Sequence, residues 1–173
     1  NPLPILIPIA AWWALTTGEL MSGIRIMERR LSAAVMGWVA IVGFFLALSH
    51  LISAGDIGRK LILCLLLVIW MADTGAYFAG KRFGKTKLAP NLSPGKTIEG
   101  VVGGVIAATL VALLSGTFVA GFGGHIFGWI LVCIVTALVS VIGDLVESRE
   151  KRAAGVKDSG SLLPGHGGLA DRI

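Results

Sequence analysis

Four long apolar runs, at 31–52, 61–80, 98–120 and 126–146, constrain this chain more than any other feature. A helix crosses the ~30 Å hydrocarbon layer of a bilayer with roughly 20 residues, and each run reaches that length. Their length and the lack of sustained polar/apolar alternation argue against a membrane β-barrel. A further run at 3–15 is shorter and reads as an incomplete helix, with Trp12 and Trp13 as interfacial anchors rather than as part of a cleavable leader. With 55% hydrophobic and 14% charged residues, a soluble domain of 173 residues cannot hide its apolar side chains in one core, so lipid must solvate most of them. The expected fold is an all-α polytopic membrane protein: a bundle of about five transmembrane helices with polar cytoplasmic loops. It forms one integral membrane domain over 1–173, with N-terminal helices in 1–60 and the chemistry-bearing helices and loops in 61–173.

Charge sets the expected orientation. Of the fifteen Lys and Arg, all but Arg59 and Lys60 fall before the second run, between the third and fourth, or after the fifth. The positive-inside rule places those connections in the cytoplasm. The 81–97 loop and the 147–173 tail then share one compartment, where nucleotides are available. A sequence pI near 9.6 does not indicate a nucleic-acid partner, because the basic residues lie in short loops where they face head groups or nucleotides. Cys64 and Cys133 lie inside apolar runs and read as small buried hydrophobes, not as a disulfide or metal pair. Gly100, Gly103 and Gly104, with Gly121, Gly123 and Gly124, flank or enter the fourth run, where small residues let helices approach closely. The compact, loop-poor design suits a bacterial inner membrane. The chain opens on Asn1 directly into apolar sequence and stops at Ile173 after a charged motif, so it reads as a piece of a longer protein trimmed at both ends.

The polar residues collect at one membrane edge. Asp144 lies near the end of the fifth run; if the helix continues, Asp144, Glu147, Ser148 and Lys151 fall on one face. A carboxylate at that depth is expensive and faces a cavity or a partner; the plainer alternative is an ion pair with Lys151 or an arginine of another helix. Asp171 supplies a second carboxylate after the Gly165-His166-Gly167-Gly168 turn, and two carboxylates from separate elements are a common way to hold Mg²⁺. The glycines at 165, 167 and 168 allow backbone amides to approach an anion, while His166 could contact phosphate, shuttle a proton or order the turn. Upstream, Ser93 is a candidate helix cap with Pro94 in the first turn, which would project Lys96 and Thr97 near a helix N-terminus that favours phosphate. The alternative for that loop is a solvated basic connection. Asp73, mid-run, pays the same membrane penalty as Asp144 and would line a polar cavity with Tyr77 one turn along.

Taken together, these motifs resemble those of the phosphatidate cytidylyltransferase (CDP-diacylglycerol synthase) family. The resemblance rests on Asp73-Thr74-Gly75-Ala76-Tyr77, Gly80-Lys81, Ser93-Pro94-Gly95-Lys96-Thr97-x-Glu99-Gly100 and the closing signature. That signature comprises Ser148-x-x-Lys151-Arg152, Lys157-Asp158-Ser159-Gly160, Leu163-Pro164-Gly165-His166-Gly167-Gly168 and Asp171-Arg172. The resemblance covers about 61–173 and implies a Mg²⁺-dependent reaction of CTP with phosphatidic acid to give CDP-diacylglycerol and pyrophosphate. On this reading Asp144 and Asp171 hold the metal, and Lys151, Arg152, Lys157 and Arg172 neutralise phosphates. Lys96 and His166 make further phosphate contacts, Asp158 orders its loop or a metal-bound water, and Asp73, Thr97, Ser148, Gly165, Gly167 and Gly168 line the substrate site. A homodimer is implied as well and is compatible with the small-residue segments. Glu150 departs from the pattern, standing where the family has an apolar residue, which predicts an altered exit of the fifth helix. The family also continues past Ile173 with another aspartate and more helix, so this piece is expected to lack part of the site and its activity. The rival readings are a CTP-dependent polyprenol or dolichol kinase, and an ion-coupled transporter using Asp73 and Asp144. The transporter would require polar residues across the whole membrane depth.

Overall fold

The computed structural model describes residues 10–11, 13–19, 29–116 and 126–156. Residues 10–11 and 13–19 are helical (α1) and precede α2 (Arg29–Ser53), α3 (Asp56–Phe83), α4 (Ile98–Ser115) and α5 (Ile126–Ala153). Between α3 and α4 lies an antiparallel hairpin of β1 (Lys87–Ala89) and β2 (Ser93–Thr97). Among the described residues, α3, α4 and α5 are long and apolar enough to cross a membrane, and Gly37–Ser53 of α2 forms a shorter apolar helix. The chain is thus an all-α polytopic membrane protein with one small β-hairpin added. Three of the four long runs, rather than all four, meet the spanning criterion over the described residues.

Local chemistry explains where the helices begin and end. The α2–α3 turn passes through Gly55, whose φ of 69° is the left-handed conformation that glycine adopts cheaply. Asp56 then opens α3 with a carboxylate at the positive end of the helix dipole and pairs with Lys60 at 3.1 Å one turn on. Lys81 and Arg82 occupy the last turn of α3, where cations complement the C-terminal dipole. The fifth run continues as helix beyond residue 146 to Ala153, which carries Lys151 and Arg152 into the final turn. It closes in a Schellman ending: Gly155, at φ 75°, donates to the Arg152 carbonyl, and the Val156 amide donates to that of Lys151.

Small residues dictate the packing. α3 and α4 run antiparallel, with Gly75 against Gly103, Ala72 against Gly104 and Ala76 against Gly100. A Cβ added at Gly75 would lie 2.7 Å from both the Ala107 methyl and the Gly103 carbonyl oxygen, so side-chain-free backbone is needed for this approach. In lipid, where apolar surface gains little by leaving the solvent, such close contact is what holds helices together. The expected role of Gly100, Gly103 and Gly104 is met here; Gly121, Gly123 and Gly124 lie outside the described residues. α5 completes a core in which Val68, Ala108, Ala112, Trp129 and both cysteines are buried. Cys64 and Cys133 are unpaired, as expected of small core residues. Conversely, Trp38, Phe44 and Phe45 of α2 are 65–71% exposed, an apolar surface suited to lipid or to another helix rather than to water.

Candidate active site

Where α3, α4, α5 and the hairpin meet, the structure leaves an open cavity of about 430 Å³, within the ~300–1,000 Å³ range of small-ligand sites. α3 contributes Asp73, Tyr77 and Lys81 to its wall, the hairpin contributes Ser93, Gly95 and Lys96, and α5 contributes Asp144. Gly80 and Gly100 supply bare backbone on the α3 and α4 sides. Lys81 Nζ lies 5.6 Å from the centre of the Tyr77 ring, a cation–π contact that keeps the ammonium at the cavity edge.

The hairpin is what brings Lys96 here. The Glu99 carboxylate, in the first turn of α4, accepts from the Lys85 and Thr86 amides at 3.1 Å, and the Ile98 amide donates to the Thr86 carbonyl at 3.0 Å. Lys87 Nζ donates across the hairpin to the Pro94 carbonyl at 2.7 Å. Held this way, Lys96 reaches α5 and donates to Asp144 Oδ2 at 2.5 Å, a charge-assisted bond between residues 48 positions apart.

This arrangement corrects one expectation. Ser93 does not cap a helix and Pro94 is not in a first turn; both belong to β2. The cap is Thr97, buried, with its Oγ1 accepting from the Gly100 amide at 3.1 Å. Pairing of β2 with β1 outweighs the local helix-start pattern of Ser-Pro. Thr97 therefore lines the cavity while one of its hydroxyl lone pairs serves the backbone.

The other sequence candidates fall into three groups. Asp73, Lys96, Thr97 and Asp144 are brought together around the cavity. Ser148, Lys151 and Arg152 lie on the continuing α5 helix beyond Asp144, where Lys151 pairs with Glu147 at 3.1 Å. Asp144 does enter an ion pair, but with Lys96 of the hairpin rather than with Lys151 or an arginine of another helix. Lys157, Asp158, Gly165, His166, Gly167, Gly168, Asp171 and Arg172 lie outside the described residues.

A second charged cluster was not anticipated. Arg149 donates to Glu19 of α1 at 3.3 Å and pairs with Glu150 at 3.1 Å, and all three side chains are at most 13% exposed. Glu150, the departure from the family pattern, is thus matched by its neighbour, and the pair ties the exit of α5 to α1. The only hint in the sequence is the adjacency of opposite charges at 149 and 150.

Asp73 of α3 and Asp144 of α5 bring two carboxylates to the cavity, one of them paired with the Lys96 ammonium. Among the described residues no group of three or more His, Cys, Asp or Glu gathers to hold a metal ion, so a divalent cation here would take its remaining ligands from water or substrate phosphates.

Comparison with known proteins identifies the family. A model of the cytidylyltransferase family matches residues 2–173. Over 164 residues the chain is 43% identical to a phosphatidate cytidylyltransferase of Brucella suis, covering 92% of this chain and 60% of the relative. It is 49% identical over 121 residues to one from Haemophilus influenzae, covering 67% of this chain and 41% of the relative. A Staphylococcus haemolyticus protein of the same name is 49% identical over 116 residues, covering 67% of this chain and 44% of the relative. The chain therefore spans between 41% and 60% of the length of these relatives. With a family match over nearly its whole length, the chain belongs to the cytidylyltransferase family.

Proposed function

We propose that the intact protein is a membrane phosphatidate cytidylyltransferase, joining CTP and phosphatidic acid to give CDP-diacylglycerol and pyrophosphate. The observation that carries this reading is the cavity shared by Asp73, Lys96 and Asp144 at the hairpin end of three spanning helices. Family membership and the names of the relatives supply the chemistry.

The reaction asks little of a base. A phosphate oxygen of the lipid is already anionic; it attacks the α-phosphorus of CTP in line, the bond to the bridging oxygen breaks, and pyrophosphate leaves with the electron pair. The protein's task is to position two polyanions and screen their repulsion. Lys96 and Lys81, both on the cavity wall, face the phosphates from the hairpin and from α3. Lys151, Arg152, Lys157 and Arg172 screen the departing pyrophosphate, with His166 and the glycines at 165, 167 and 168 contacting phosphate oxygens. Asp144, with Asp171 or with its cavity neighbour Asp73, would hold Mg²⁺. When bound, that ion neutralises phosphate charge and polarises the α-phosphoryl group.

The distribution of charge supports this reading over transport: Asp73 of α3 and Asp144 of α5 meet at the hairpin side, while between them and the exposed Asp56–Lys60 pair at the other helix end the bundle packs Val68, Trp129 and Cys133. We place the cavity on the cytoplasmic face of a bacterial inner membrane, because the basic connections cluster there. The test is product identity. Intact protein in detergent, given CTP, Mg²⁺ and a panel of lipid phosphates, is expected to release pyrophosphate and form a liponucleotide with phosphatidic acid. CDP plus a newly phosphorylated polyprenol would overturn the reading.

A further inference from the structure

Lys96 and Asp144 have each been given a separate task above, one toward phosphate and one toward a metal ion, yet the structure joins them to each other. Their bond at 2.5 Å spans the cavity from hairpin to α5. Neither partner is sealed in: Lys96 is 28% and Asp144 51% exposed, so the pair faces the same open space a ligand would enter. Ion pairs this exposed contribute little, since solvent screens them and the long side chain loses rotamer freedom. Asp73 adds a second carboxylate to the wall and has no ion pair of its own among the described residues. The Lys81 ammonium is also on the wall but rests over the Tyr77 ring, so of the two cations facing these carboxylates Lys96 is the one bonded to Asp144.

The Lys96 ammonium rides on a flexible four-carbon stem, so it can leave the carboxylate while the hairpin stays in place. Gly95 beside it has open space where a side chain would be, and β1 and β2 pair with an irregular register. A doubly charged cation binding oxygen ligands would win the half-exposed Asp144 carboxylate from a singly charged ammonium. The ammonium would then be left beside the phosphates that arrive with the nucleotide.

We infer that Lys96 is the resident cation of the Asp144 site, holding the carboxylate until a divalent ion takes it and then turning to the nucleotide phosphates. This rests on the functional reading above, and it adds an order: Lys96 competes with the metal before the nucleotide is bound and cooperates with it afterwards.

The test reads metal binding without turnover. Full-length protein in detergent is titrated with Mn²⁺, an ion that accepts the same oxygen ligands as Mg²⁺ and reports binding by electron paramagnetic resonance. Without nucleotide, Lys96→Met is expected to bind Mn²⁺ roughly two- to five-fold more tightly than wild type, because the competitor is gone. Lys96→Arg, which keeps the cation, is expected to stay near wild type and shows that the gain comes from charge and not from a disturbed hairpin. With CTP present the sign reverses: Mn²⁺ strengthens CTP binding less in Lys96→Met than in wild type. Equal or weaker Mn²⁺ affinity in Lys96→Met, with binding lost in Asp144→Asn, overturns the competition while leaving Asp144 as a metal ligand. Undiminished Mn²⁺ binding in Asp144→Asn overturns both this inference and the metal assignment beneath it.

Discussion

At one end of the α3–α4–α5 bundle, the Trp129 indole donates to Ser115 Oγ at 3.1 Å and packs in a buried cluster with Cys64, Val68 and Cys133. At the other end, the same three helices surround an open cavity with Asp73, Lys96 and Asp144 on its wall. Glycines bring the α3 and α4 backbones close midway, at Gly75 and Gly103, and beside the cavity, at Gly80 and Gly100, whereas Val68, Ala108 and Ala112 fill the closed end. What differs is what covers the seam. At the closed end α5 brings the large indole of Trp129 and the thiol of Cys133; at the open end it brings Val141 and Asp144, and the hairpin leans in with polar side chains. A single scaffold thus separates a packing end from a chemical end.

Substitutions at the two ends should then fail differently. The largest effect belongs to Asp144→Asn in the full-length protein: CTP-dependent pyrophosphate release is expected to fall at least about a hundredfold, since a lost metal ligand costs several kcal/mol of transition-state stabilisation. Its thermal unfolding should stay close to wild type, because the pair it breaks is half exposed. Trp129→Ala should do the reverse. It removes a buried side chain and leaves a cavity, lowering stability by about 3 kcal/mol, while the KM for CTP of the surviving folded protein is unchanged. Gly103→Ala tests the shared seam. The added methyl would meet the Ala79 side chain and, at 2.8 Å, the Gly75 carbonyl oxygen, so a cost of about 2 kcal/mol is expected, with both melting temperature and turnover reduced. If only one of the two moved, the ends would not share a scaffold. The smallest effect is Ser115→Ala, which loses one interhelical hydrogen bond at a cost of about 0.6 kcal/mol in unfolding measurements and leaves activity intact.

What was legible in the sequence follows the range of the forces involved. The apolar runs that became α3 and α5 could be read directly, because crossing lipid is a condition on each run by itself. Asp73 and Asp144 could be singled out for the same reason: a carboxylate within such a run is costly wherever the chain goes. The hairpin could not be read. Ser93-Pro94 has the local chemistry of a helix start, and only pairing with 87–89 and closure by Glu99 make it a strand. Thr97 then takes the capping role three residues before Gly100. Pairwise contacts were least legible of all. Lys96 and Asp144 were each recognised as polar candidates, but their bond depends on how the hairpin folds onto α5. Glu19 and Arg149, 130 positions apart, meet only once α1 lies against the end of α5.

The most direct test is the structure of the full-length protein with Mn²⁺ and CTP, the metal located by its anomalous scattering. The account predicts an anomalous peak on the Asp144 carboxylate, with Lys96 withdrawn from it and facing the nucleotide phosphates. A peak elsewhere, with Lys96 still bonded to Asp144, would contradict it.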